Sequence, residues 1–306
     1  MKRLFLLSFC LVGLVAMMTA QNRRPLAALR DTAKSDYVWV AAHRGDWIYA
    51  PENSLESLAH DIAWGVDLME TDVRLTKDDR VVMMHDWSVD RTTNGHGAVA
   101  DLTLAEIKQL HLKTNFGTNT ALRVPTLEEF IQLAKGKVYL YLDKAGQDLP
   151  GQPQGHMVKQ LLKILKANKA LEEAVFVLDW PYEKARAVFG DDLDKVVYVP
   201  VIEDGIPDLK AYVNEYIEKL HPVAFQFRVA SLDTETYRLL PTVIGAGAKP
   251  FIAATWAEHT AGHGDAASMF GRPSEGWGWL VDKGFRILET NYPHDVLQYL
   301  RSENRR

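Results

Sequence analysis

The stretch "GVDLMETDV", residues 65–73, has the length of one β-strand and sets two acids, Glu70 and Asp72, two residues apart among apolar neighbours. Side chains alternate between the faces of a strand, so these acids point to the same side. Seven other runs have similar length: "YVWVAAH" (37–43), "KVYLYLD" (137–143), "AVFVLDW" (174–180), "KVVYVPVI" (195–202), "VAFQF" (223–227), "KPFIAAT" (249–255) and "FRILETN" (285–291). Between them lie segments of helical period: "SLESLAHDIAW", "TLEEFIQLAK", "HMVKQLLKILKAN", "DLKAYVNEYIEKL" and "DVLQYLRSE". Near-continuous Val, Ile, Leu and Tyr in most runs predicts parallel strands covered on both faces by crossover helices. Eight such strands in 306 residues fit a single closed (β/α)8 TIM-type barrel, for which about 250 residues is usual. A doubly wound open sheet is the competing arrangement.

Hydrophobic residues make up 47% of the chain and charged residues 25%, enough for one sizeable core. No repeat, low-complexity segment or linker marks off a second domain, so residues 37–306 are expected to form the barrel. The formal net charge of -5 lacks the basic excess that nucleic-acid binding demands. At the N-terminus, Lys2 and Arg3 precede an apolar run from Leu4 to Met18, then Thr19 and Ala20: the pattern of an export signal over residues 1–20. Residues 21–36 follow as an N-terminal extension. The run is shorter than the roughly 18 to 20 residues that span a bilayer. The mature chain is therefore expected in the periplasm or secreted, with no membrane span. An uncleaved anchor is the alternative, since Met18 fits poorly at the cleavage site. The only cysteine, Cys10, lies inside the run, which leaves the mature chain without disulfides or thiolate chemistry.

In a barrel of this kind the site is built where the strands end. The first run ends at His43 and Arg44, the second carries Glu70 and Asp72, and the third ends at Asp143 and Lys144. Two carboxylates on one face repel unless positive charge lies between them. A divalent cation, Mg2+ or Ca2+, is the natural occupant, because hard cations take carboxylate oxygens at about 2.0 to 2.6 Å. A pair of solvated strand-end acids is the bland alternative. After the turn-like "TKDDR", a short apolar run "VVMM" brings His85 and Asp86 toward the same rim.

"HRG" followed by "PENS", then "METDVRLTKDDRVVMMHDWSVDRTTNGHG", resembles the signature of the glycerophosphodiester phosphodiesterase family. The ending "GFRILETNYPHDVLQYL" is similar to that family's last strand. The resemblance implies the same barrel, and hydrolysis of a small glycerophosphodiester to glycerol 3-phosphate and an alcohol with a divalent cation. It implies His43 and His85 as catalytic histidines, Glu70 and Asp72 as metal ligands, and Arg44 as a phosphate contact. The chemistry is coherent. Anionic oxygens shield the attacked phosphorus, so catalysis needs charge neutralisation together with a base and an acid. Histidine serves both roles because its ordinary pKa, about 6.5, makes either protonation state available near neutrality.

Gly45 suits a tight turn or a close approach to ligand. In "PENS", Pro51 stops the preceding segment, while Asn53 and Glu56 are expected to cap the next helix as a capping box. Glu52 is expected either beside Arg44 or as a further ligand in the metal site. The third strand departs from the family, in which an acid and a lysine stand two residues apart on one face. Here "YLYLDKAG" makes Asp143 and Lys144 adjacent. Adjacent strand residues point opposite ways, so both enter the site only if the strand ends or bulges there. Asp143 is assigned to the metal and Lys144 to the phosphate.

Elsewhere, "WAEHTAGHGD" offers His259, His263 and Asp265 as a zinc constellation, although its glycines favour a rim loop. Trp256, Trp277, Trp279 and Tyr292 are candidates for an apolar wall near the last strand ends, or for packing. No G-x-S-x-G elbow and no P-loop occurs. Two other functions compete with the phosphodiesterase: a phosphatidylinositol-type phospholipase acting by intramolecular attack without essential metal, and an inactive binding protein on the same barrel.

Overall fold

The computed structural model describes residues 26–31 and 36–306. The expected export signal, residues 1–20, lies outside the described residues, as does most of the extension to residue 36. Among the described residues no helix is long and apolar enough to cross a membrane.

All eight expected runs are strands: β1 Trp39–Ala42, β2 Leu68–Leu75, β3 Tyr139–Asp143, β4 Ala174–Leu178, β5 Val197–Glu203, β6 Ala224–Arg228, β7 Lys249–Ala253 and β8 Ile287–Thr290. Each pairs in parallel with the next, and β8 pairs with β1 through Val40 opposite Leu288, so the sheet closes. The open doubly wound alternative is thereby excluded. Helices α1 Leu55–Trp64, α2 Leu127–Ala134, α3 His156–Ala167, α4 Tyr182–Phe189 and α5 Leu209–Lys219 return the chain after β1 to β5. Short pieces do so later: α6 Glu235–Arg238 and α7 Leu240–Gly245 after β6, and α8 Asp265–Phe270 and α9 Trp277–Asp282 after β7. Helix α10, Pro293–Ser302, follows β8.

Alternation along the strands builds two cores. Trp39, Ala41, Leu68, Tyr139, Tyr141, Val175, Val177, Phe251 and Ile287 fill the barrel interior as one cluster. Val38, Val40, Met69, Leu140, Leu142, Phe176 and Leu288 face outward and pack against buried helix residues such as Leu58, Phe130 and Leu161. Period two continues along the inner row to the strands' C-terminal ends. There Glu70 and Asp72 follow Leu68, Asp143 follows Tyr141, and Glu289 follows Ile287. In the register of β2 and β3, Asp72 stands directly beside Asp143.

Between β2 and α2 the chain leaves the barrel. Val81–Met83 pairs antiparallel with the end of β2, and a hairpin of His111–Lys113 and Asn119–Arg123 encloses a small apolar core around Val82, Met84 and Ile107. This excursion carries His85 and Asp86 to the rim, as "VVMM" suggested.

The turn after β1 explains "HRG". Arg44 and Gly45 both adopt positive φ, 57° and 71°. A Cβ on Gly45 would lie 2.6 Å from Met69 Cε and 2.7 Å from Ser57 Oγ, so the turn excludes any side chain. One expectation is corrected here. The cap of α1 is Ser54, whose Oγ accepts from Ser57 N, and Ser57 completes the box. Asn53 and Glu56 do not form it. Asn53 has a positive φ of 55° and turns inward: its Nδ2 donates to Asp72 Oδ2 at 2.9 Å, while its Oδ1 accepts from Thr71 Oγ1 at 2.7 Å and Asp72 N at 3.1 Å. Strand β2 thus captures the amide that a cap would have used, and the next residue takes over the helix.

Two substitutions separate the roles of Asn53. Asn53→Gly keeps the backbone conformation and loses the amide; Asn53→Ala loses both. With Thr71 Oγ1 and Asp72 N left buried and unpaired, Asn53→Gly should cost about 1–3 kcal/mol in urea unfolding. Asn53→Ala should cost about 1 kcal/mol more, because only Gly adopts the left-handed region freely. Equal stability of Asn53→Gly and the parent chain would show that the amide does not brace β2.

Candidate active site

The structure brings His43, Arg44, Glu70, Asp72, Asp143 and Lys144 to one mouth of the barrel. One carboxylate oxygen from each of Glu70, Asp72 and Asp143 lies within 4.8 Å of the others. A second trio of the same compactness joins His43, Glu70 and Glu289, so Glu70 belongs to both. Burial and the neighbouring carboxylates push Glu70 and Glu289 above the usual range. For Asp143 burial works the same way, but the adjacent Lys144 ammonium outweighs it and holds the carboxyl below its ordinary value. Charges this crowded ionise together only when further positive charge joins them, and an all-oxygen set suits a hard divalent cation.

The third-strand departure is resolved by backbone conformation. Strand β3 ends at Asp143, and Lys144 adopts a positive φ of 63°. That turn sends its side chain back to Asp143, with Nζ also 3.5 Å from Asp72 Oδ1. Both residues therefore enter the site. Arg44 is bent similarly: its backbone N–H donates to Glu70 Oε2 at 2.7 Å and its Nε lies 3.6 Å from Asp72 Oδ2.

Glu52 lies against arginines. Its carboxylate takes both Nη atoms of Arg91, at 2.7 and 2.8 Å, and Nη1 of Arg44 at 3.4 Å. Burial would raise its pKa, yet the two guanidinium groups hold it below the usual value. Among the described residues Glu52 belongs to neither trio. Arg91 also grips Asp86 through Nε at 2.7 Å and Nη2 at 2.9 Å, and holds that carboxyl far below its ordinary range. Asp86 Oδ1 in turn meets His85 Nδ1 at 2.7 Å. Arg74 donates from Nε to the His85 carbonyl at 3.0 Å and stacks on Trp87 at 3.8 Å, which fixes the loop.

His43 is partly exposed at its edge but enclosed enough that lost hydration, helped by the Arg44 charge, lowers its pKa. Its Nδ1 lies 2.7 Å from Asn291 Oδ1. Trp256 approaches edge-on, with ring centroids 6.4 Å apart and about half its surface exposed, the only one of the four proposed wall aromatics with a ring contact to His43 among the described residues. Trp277 is core, and Trp279 stacks on His263 at 3.8 Å. The zinc constellation does not assemble. Asp265 is saturated by Trp277 Nε1, Thr290 Oγ1 and Asn291 N, and His263 Nδ1 faces the Glu275 carbonyl. A cleft of about 930 Å3 between Asp179, Glu203 and α5 contains none of the site residues.

Sequence reasoning passed over Glu289, Asn291, Asn53 and Arg91 as site residues. Glu289 had a readable signal, an acid on the inner row of an otherwise apolar last strand. Arg91 and Asn53 stand in the quoted motifs, but their partners are set by tertiary contact.

The model of the glycerophosphoryl diester phosphodiesterase family matches residues 43–242, and one of a domain of unknown function matches 198–300. The chain is 47% identical over 102 residues to a glycerophosphodiester phosphodiesterase of Caldanaerobacter subterraneus, covering 33% of this chain and 42% of that one. It is 35% identical over 146 residues to one from Bacillus subtilis, covering 44% and 48%. The matches thus span less than half the length of these curated relatives. A glycerophosphoryl diester phosphodiesterase from Parabacteroides distasonis superposes with a TM-score of 0.70 at 23% identity, over 92% of this chain and 93% of that one. An Oleispira antarctica phosphodiesterase, solved with the product sn-glycerol-3-phosphate, superposes with a TM-score of 0.60 at 21% identity, over 88% and 100%. Folded as a (β/α)8 barrel and matched by the family model over residues 43–242, well over half of its length, the chain belongs to the glycerophosphoryl diester phosphodiesterase family.

Proposed function

We propose that this protein hydrolyses a glycerophosphodiester to glycerol 3-phosphate and an alcohol at the C-terminal mouth of its barrel. The observation that carries the reading is the convergence of His43, Arg44, Lys144 and the Glu70–Asp72–Asp143 trio on one rim, which the excursion carrying His85 flanks. Family membership supports it, as does the glycerol 3-phosphate bound to the Oleispira relative. Glu70, Asp72 and Asp143 would hold a divalent cation, Mg2+ or Ca2+, whose charge would neutralise the phosphate oxygens. Arg44 and Lys144 bind the same oxygens as cations on the protein side. Glu52 acts indirectly, as the carboxylate that spaces Arg44 from Arg91.

The two histidines move the protons. One takes the proton of the attacking hydroxyl as the new P–O bond forms, and the other gives a proton to the departing alcohol oxygen as the old bond breaks. We favour attack by the neighbouring glycerol hydroxyl, since an intramolecular nucleophile is already positioned. Water then opens the cyclic phosphate with the histidine roles reversed. Diesters without the vicinal hydroxyl should accordingly react far more slowly; equal rates would eliminate the cyclic route.

His43→Ala and His85→Ala should each lower kcat at least about 100-fold with unchanged far-ultraviolet circular dichroism. Near-parental turnover in either variant removes that histidine from the mechanism. Treatment with a chelator should abolish hydrolysis, and metal add-back should restore it; chelator resistance would favour the metal-independent phospholipase chemistry.

Asp143 and Lys144 are separable although they touch. Asp143→Asn should weaken cation affinity in calorimetry, and excess Mg2+ or Ca2+ should recover part of the activity by mass action. Lys144→Met should lose activity that no metal concentration recovers. An Asp143→Asn protein with parental cation affinity would remove Asp143 from the ligand set.

A further inference from the structure

The two catalytic imidazoles are held by different chemistry. His85 Nδ1 faces the carboxylate of Asp86, whereas His43 Nδ1 faces the neutral side-chain amide of Asn291. A carboxylate offers only acceptors. An amide offers an acceptor at one end and donors at the other, so its orientation decides where the His43 proton sits. Trp47 settles that orientation. Its indole Nε1 lies 3.2 Å from the same Asn291 atom that meets His43, Oδ1. An indole N–H only donates, so the shared atom must be the oxygen; reversed, the amide NH2 would oppose the indole N–H. An oxygen that accepts from the indole also accepts from His43, which places the imidazole proton on Nδ1 and the lone pair on Nε2.

Asn291 is itself anchored. Its backbone N–H donates to Asp265 Oδ2 at 2.8 Å. Asp265, 3% exposed, receives Trp277 Nε1 at 2.8 Å and Thr290 Oγ1 at 2.7 Å on its other oxygen. The Thr290 carbonyl closes the circuit by accepting from His43 N at 3.0 Å. Contacts from the β1 turn, the start of α8 and the end of β8 thus converge on one ring.

We propose that Trp47, Asn291 and Asp265 are positioning residues that lock His43 in its Nδ1–H tautomer, so that Nε2 is the atom that accepts the proton in diester cleavage. The proposal rests on the reading of His43 as a proton-transfer residue, but its tautomer claim stands apart from activity.

Three variants test it in the full chain: Trp47→Phe, Asn291→Leu and the double variant Trp47→Phe/Asn291→Asp. Losing the indole N–H frees the amide to reverse, so Trp47→Phe should lower kcat by about 10- to 100-fold, as loss of a histidine's outer partner does, with KM little changed. Asn291→Leu should do the same. In the double variant the carboxylate cannot present a donor to His43, so kcat should recover relative to Trp47→Phe alone, a rescue that a packing role for Trp47 would not produce. Ring-nitrogen NMR shifts, assigned by comparison with His43→Ala, should show a protonated Nδ1 in the parent chain and a tautomer mixture in Trp47→Phe. An Nε2–H tautomer in the parent, or a Trp47→Phe protein with parental tautomer and kcat, overturns the proposal. Absence of diester hydrolysis in the parent chain would instead refute the proposed function, and the NMR measurement would still decide the tautomer.

Discussion

Repulsion among Glu70, Asp72, Asp143 and Glu289 is the constraint around which the barrel mouth is organised. All four stand on the inner row of their strands, where the closed sheet leaves them no route to bulk water other than the mouth. Carboxylates in such surroundings either take up protons or acquire cationic neighbours. Both responses appear. Glu70 and Glu289 move toward protonation, while Asp143 stays acidic because Lys144 lies against it. Asp72 is placed between Asn53, Arg44 and Lys144. A site with this need for positive charge suits a hard divalent cation.

The side chains that meet this need come from backbone turned against its usual preference. Arg44, Asn53 and Lys144 all have positive φ. For Arg44 and Lys144 this conformation costs roughly 1–2 kcal/mol each, and for Asn53 less, because asparagine adopts it more readily. Three such residues at one mouth are a concentrated strain, tolerated because the hydrogen-bonded strand ends leave the chain no alternative course. The return is geometric. A lysine adjacent to a strand-end aspartate reaches the same face of the barrel mouth, and an arginine that follows a strand-end histidine folds back over β2. The family's spacing on β3, with acid and lysine two apart, reaches this outcome within the pleat; here a left-handed turn replaces the missing residue.

Around the mouth, charge is handled by chains of alternating sign. Arg91 joins Asp86 to Glu52, and Glu52 joins Arg91 to Arg44, so the His85 loop and the β1 turn share one network. On the opposite flank, the partner of His43 Nδ1 is a neutral amide with Asp265 at its root. The two histidines therefore sit in electrostatically different surroundings although each is held by a single Nδ1 contact.

The amino-acid order alone determined the barrel, because eight apolar runs spaced by helical segments have few ways to bury both faces of every strand. It also determined which residues reach the mouth: period two carries His43, Glu70, Asp72 and Asp143 inward whatever lies around them. The cap of α1 was misplaced by one residue because local preference treats Asn53 and Ser54 alike, and only the nearness of β2 chose between them. The helices after β6 and β7 are only four to six residues long, too brief to display a helical period. Tertiary structure alone decided the partners. Asn291 meets His43 across 248 positions of sequence, and Arg91 meets Glu52 across 39. Such pairings depend on barrel closure and on loop paths, which no local pattern encodes, and they decide which carboxylates remain available for a cation and which nitrogen of His43 is basic.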